Sequence, residues 1–195
     1  MALRQIRQYG DDILQKKAKQ VVTFDAALHG LIDDMWDTCR EYDGLGIAAP
    51  QIGMLRRIIV IEMEEEDFCY ELINPVLVES EGCDVKTEAC LSVPEKQGDV
   101  ERPTYIKIAA VDRHGVPYEV EADDMLAAAL CHELDHLDGI LFLEKATKIQ
   151  DRVDDEDERR GKRKGSNKSG KKDKKAMKKN PRKQKLSGGK RAAGR

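Results

Sequence analysis

Apolar residues between Asp25 and Tyr42 fall at Leu28, Leu31, Ile32, Met35, Trp36, Cys39 and Tyr42. Steps of three and four mark one face of a helix, so this stretch reads as an amphipathic helix with Thr23 or Asp25 as its N-cap. Asp43-Gly44-Leu45-Gly46 ends it, and residues 1–20 are only weakly amphipathic, which predicts surface packing. Arg57 to Ile61 is a β-branched run and reads as a buried strand. Leu72 to Val78 reads as another, with Pro75 marking an edge or bulge. Tyr105 to Val111 alternates and forms a hairpin with Val116 to Val120 around Arg113-His114-Gly115. A second helix starts at Asp123 or Asp124 and ends at Gly139. One of its faces carries Leu126, Leu130, Leu134 and Leu137; the other carries Met125, Ala128, Ala129, His132 and His136. The pattern predicts an α+β fold, with antiparallel and mixed β-sheets around that central helix.

The apolar pattern fades beyond about Ile149. Residues 151–158 are acidic, and residues 159–195 hold 18 Lys or Arg against one acid, Asp173. The other 158 residues hold 16 basic and 36 acidic side chains, so the net charge of -3 conceals two oppositely charged parts. The expected division is a domain at 1–150 and a charged, disordered tail at 151–195, too poor in apolar side chains to offset its ordering entropy. With no apolar run of about 18 residues, no membrane span is expected. The N-terminus lacks a signal-peptide stretch, and five scattered cysteines suggest reduced thiols, so the expected compartment is the cytoplasm.

Candidate chemistry concentrates at His132-Glu133-Leu134-Asp135-His136. On a helix, His132 and His136 stack four residues apart and can share one divalent ion, with Glu133 beside them as a proton carrier. A third ligand is needed. Glu156 has the downstream spacing of a thermolysin-type protease, but it sits in an acidic run with no helix to aim it. Cys90, in Glu88-Ala89-Cys90-Leu91-Ser92, is the stronger candidate. Cys131 adjoins His132 but points about 100° away on a helix. Cys39 reads as core, Cys69 and Cys83 have no assigned role, His29 reads as surface and His114 as a turn residue. The Gly44–Gly53 segment lacks the phosphate-loop pattern; its small residues allow close backbone approach.

Three patches occur in order: GLGIAAPQ at 44–51, EACLS at 88–92 and HELDH at 132–136. Together, over roughly residues 1–150, they resemble peptide deformylase, which removes the formyl group from N-terminal formyl-methionine. Ala89 departs from the family pattern, which has Gly there. The resemblance implies Cys90, His132 and His136 as ligands of one divalent metal, ferrous iron in the family, with zinc, nickel or cobalt also suited to the donors. It implies Glu133 as the acid–base group, the Gln51 amide and Leu91 N–H as oxyanion donors, and Gly46 as a partner for an extended substrate backbone. From the helix face, Met125, Ala128 and Ala129 are expected to line the methionine side-chain pocket, and Glu88 with Arg102 to brace the Cys90 loop. The basic tail suits either a polyanion, with ribosomal RNA the natural one beside formyl-methionyl nascent peptides, or a solubilising role in which it folds back on the acidic domain. The alternative is a catalytically impaired relative that binds nucleic acid or the ribosome through the tail.

Overall fold

The computed structural model describes residues 2–63 and 68–152. Helix α1 spans Ala26–Glu41 and α2 spans Asp124–Asp138. The strands are β1 (Gly46–Ala48), β2 (Ile58–Met63), β3 (Phe68–Glu81), β4 (Asp84–Cys90), β5 (Val93–Arg102), β6 (Tyr105–Val111), β7 (Pro117–Asp123) and β8 (Thr147–Asp151). They form a five-stranded sheet in the order β1-β2-β3-β6-β7 and a three-stranded sheet in the order β4-β5-β8. Every strand pairing among the described residues is antiparallel, so the expectation of mixed sheets is corrected. Only an isolated bridge between Lys19 and Arg56 is parallel. The reason is connection length: parallel neighbours need crossovers of a dozen or more residues, and most of these strands are joined by short turns.

Strand β2 shows why the large sheet lies between the two helices. Ile58, Ile59, Val60 and Ile61 are all fully buried. Ile59 and Ile61 pack with Leu126, Ala127, Leu130 and Leu137 of α2. Ile58 and Val60 pack with Leu28, Leu31, Ile32, Met35 and Trp36 of α1. A strand's period of two thus delivers one run of β-branched residues to two opposite cores. A third cluster, of Leu14, Cys90, Val93, Val100, Leu141 and Phe142, backs the small sheet.

Residues 1–20 do more than cover the surface. Ile6, Leu14 and Ala18 are buried, each in a different one of the three clusters. Single apolar residues spaced along an extended segment leave no periodic signal, so pattern alone understates their role. Asp25 caps α1 by accepting from Leu28 N–H at 2.9 Å. Asp123 takes the N-cap position of α2 without a side-chain cap bond. At Asn74-Pro75 the β3–β6 register slips between Ile73 and Val76, as Pro75 suggested. Asn74 adopts φ 52° there and exchanges two 2.8 Å hydrogen bonds with the Val21 backbone. No helix is long and apolar enough to cross a membrane among the described residues. Glu156 and the basic tail lie outside them.

Candidate active site

Three elements converge on α2. Gln51 sits in the 3₁₀ turn Ala49–Ile52 directly after β1, and Cys90 ends β4. The bulge between Ala89 and Cys90 separates Cys90 from the regular ladder, where it pairs with Val93. Ala89 itself is exposed and has no left-handed backbone, so the methyl group that replaces the family's glycine hydrogen meets no conformational penalty.

Ligand atoms of Cys90, His132 and His136 all lie within 4.8 Å of one another, and all three residues are buried. Cys90 Sγ is 3.2 Å from His136 Nε2, and the two imidazoles meet edge to face with centroids 4.9 Å apart. His132 Nδ1 is committed to Glu88 Oε2 at 2.8 Å, which leaves its Nε2 for an ion. These separations suit donors that ligate a common ion from 2.0–2.3 Å, and a soft thiolate with two imidazoles fits the transition ions expected. Among the described residues, two buried side-chain polar atoms have no protein partner, Glu133 Oε2 and His136 Nδ1. Orphaned atoms of this kind are uncommon in a folded interior and belong where chemistry is done.

The charges around this centre are strongly biased. Burial raises the Glu133 carboxyl to about 7, and the Glu88 charge adds to the rise. For Glu88, burial pushes upward, but hydrogen bonds from Arg102 and His132 reverse the direction and hold it at about 2. Burial and the charge on His132 push His136 well below the usual imidazole value. Arg102 grips Glu88 through two bonds, Nε to Oε1 at 2.6 Å and Nη2 to Oε2 at 3.0 Å. Its Nη1 reaches Asp135 Oδ2 at 2.7 Å, and Lys145 Nζ reaches Asp135 Oδ1 at 2.7 Å. The expected Glu88–Arg102 pair is therefore part of a longer chain from His132 to Lys145. Asp135 and Lys145 drew no attention in the sequence, although Asp135, at i+3 from His132 inside the motif, was the available signal.

Gln51 is pinned at both ends of its amide. Ala48 N–H donates to Oε1 at 2.8 Å, and Nε2 donates to Ser92 Oγ at 3.3 Å beside Cys90 Sγ at 3.5 Å. Ser92, fully buried, also donates its N–H to Cys90 Sγ at 3.4 Å. Sequence reading missed this role of Ser92, which only the fold reveals. Gly46 lies against the site: a Cβ there would stand 3.2 Å from Val60 O and 3.4 Å from Glu133 Cγ. Leu91 packs against the α1-side core. Of the expected side-chain pocket, Ala128 is buried and Met125 is half exposed, whereas Ala129 packs against the α2-side core. Cys131 lies in that same core, and burial raises its thiol to about 11. Cys39 sits in the α1-side core, as expected.

A buried carboxyl next to a cysteine and two imidazoles that could hold one ion fits the class of metal-dependent hydrolases. Comparisons with known proteins make the class specific. The family model for polypeptide deformylase matches residues 3–152. A peptide deformylase of Clostridium acetobutylicum is 50% identical over 145 residues, 74% of this chain and 95% of that protein. One from Caldicellulosiruptor bescii is 48% identical over 159 residues, 82% of this chain and 95% of that protein. The crystal structure of a Legionella pneumophila peptide deformylase superposes with TM-score 0.73 at 40% identity, covering 75% of this chain and 88% of that one. The chain belongs to the polypeptide deformylase family.

Proposed function

We propose that this chain removes the N-formyl group from formyl-methionyl nascent peptides, releasing formate, with Cys90, His132 and His136 holding the metal. Deformylation of nascent peptides is the activity of its family and of this chain. The alternative of an impaired, nucleic-acid-binding relative gains no support from these matches. The observation that carries the residue assignment is the triad of ligand atoms within 4.8 Å beside the buried Glu133, whose Oε2 has no partner.

When bound, a divalent ion would polarise the formyl oxygen and acidify the attacking water. Glu133 accepts the water's proton and returns it to the leaving amine; a carboxyl raised to about 7 suits both directions near neutral pH. Gln51 Nε2, oriented by Ala48, and the N–H of Leu91 stabilise charge on the attacked oxygen, each donor worth roughly 10²–10³ in rate. Strand β1 is an edge of the large sheet, which supports pairing of Gly46 with an extended substrate backbone. Met125, Ala128 and Ala129 are assigned to the methionine pocket; Ala129→Trp is expected to change the relative rates on formyl-Met and formyl-norleucine peptides. Ferrous iron is the proposed native ion and the cytoplasm the proposed compartment. The charge of residues 159–195 supports contact with ribosomal RNA. A chain ending at Glu158 is expected to lose salt-sensitive ribosome co-sedimentation while keeping activity on short peptides.

The test of the site is anaerobic purification with metal analysis and a formyl-Met peptide assay. Cys90→Ala is expected to lose metal and activity together, whereas Glu133→Ala keeps the metal and loses at least roughly 10² in kcat. Full metal retention by Cys90→Ala would sink the ligand assignment.

A further inference from the structure

The oxyanion donors assigned above sit on separate elements, Gln51 after β1 of the large sheet and Leu91 after β4 of the small one. Three consecutive residues of the N-terminal segment cross between them. Arg7 N–H donates to Gln51 O at 2.7 Å, and Tyr9 N–H donates to Ser92 O at 2.8 Å. Between these, the Gln8 side chain donates from Nε2 to Leu91 O at 3.3 Å. In extended chain the N–H groups of residues i and i+2 point the same way, so one edge of this segment spans both loops.

The strap is fixed at its outer end. Arg4 binds Asp34 through Nε at 3.0 Å and Nη2 at 2.7 Å, and Arg4 N–H donates to Thr38 Oγ1 at 3.0 Å. Ile6 is buried in the α1-side core, against which Leu91 also packs. Gly44 also closes on Leu91, because a Cβ there would stand only 2.9 Å from Leu91 Cδ1.

We propose that the strap Ile6–Tyr9 sets the relative placement of the two oxyanion donors, with Gln8 the positioning residue for the loop that carries the Leu91 N–H. The proposal rests on the assignment of Gln51 and Leu91 as donors. Gln8 is exposed, and its Nε2 also donates to Ile6 O within the strap at 3.5 Å, so its one side-chain link to the site's loops is the bond to Leu91 O. Displacement of a donor by a fraction of an ångström weakens transition-state stabilisation more than substrate binding.

Gln8→Glu keeps the side chain's shape and removes the donor; Gln8→Ala removes both. In the full-length, metal-loaded enzyme, both variants are expected to lower kcat on a formyl-Met peptide about ten-fold. KM should stay within about two-fold of wild type while Tm and metal content are unchanged. Gln8→Arg, which restores an N–H donor, should recover most of the loss. Gln51→Ala serves as the reference for the underlying assignment. If it leaves kcat unchanged, the donor assignment itself fails. If it lowers kcat about 10² while Gln8→Glu changes nothing, the Gln51 assignment stands and the placing of the Leu91 donor by Gln8 is overturned. A fall in Tm with kcat and KM shifting together would also overturn it, because Gln8 would then be a stability residue.

Discussion

Glu88 stands between His132, a proposed metal ligand, and the buried Arg102. By accepting from His132 Nδ1 at 2.8 Å it fixes the ring's tautomer and direction. Glu88→Gln is expected to weaken metal affinity by roughly 10–100-fold, measured as faster metal loss to a competing chelator, while the fold persists. Arg102 is the costlier residue to lose. Its side chain is 3% exposed, and Arg102→Leu would leave Glu88 and Asp135 facing one another's charge without it. A loss of roughly 3–5 kcal/mol in unfolding free energy is expected from denaturant titration. At this scale the sequence was informative wherever chemistry demands fixed spacing. His132, Glu133 and His136 share a helix, so their relation follows from pitch alone. Ser92 and Gln8 were invisible because their contacts, to Gln51 and Leu91, join loops 41 and 83 residues distant.

At the scale of elements, the end of α2 is a close fit. Gly139 has φ 76°, and a Cβ there would meet Gln15 carbonyl carbon at 2.6 Å and oxygen at 2.7 Å. Gly139→Ala combines left-handed strain with a backbone clash, so it is expected to cost more than about 1 kcal/mol. For a chain of this length that corresponds to roughly 2–4 °C in Tm per kcal/mol, readable by calorimetry. Both helices were legible because long amphipathic repeats and their terminators agree. Strands β4 and β5 were not. Asp84–Cys90 and Val93–Arg102 are dense in charge, and β4 buries only Glu88 and Cys90. Their pairing is imposed by the site they carry and by the cluster of Leu14, Phe142 and Leu141 beneath, and no alternation of apolar residues announces it. Strand β8 is exposed along its whole length and gave no signal either.

At the scale of the whole molecule, the N-terminal segment joins α1 to both loops of the site, and its tether is titratable. The Asp34 carboxyl is held below its usual range, chiefly by the Ala2 N–H and then by Arg4, with burial opposing. A depressed carboxylate contributes stability that is fully present above its unfolded value of about 3.9 and is lost as pH falls through the lower folded value. Amide exchange at Arg4 should therefore accelerate as pH drops below about 4, after correction for intrinsic rates, and Asp34→Asn should remove that pH dependence. The same view of the molecule bears on strand β1. Under the proposed pairing with Gly46, it leaves one backbone edge for a substrate to join, and a sheet edge also invites other chains. Its length is three residues, Gly46 to Ala48, enough for the first residues of a peptide and too short to template a lasting cross-chain ladder. An enzyme that meets emerging polypeptides before they fold can thus engage each one at its end and release it, without becoming a seed for their aggregation.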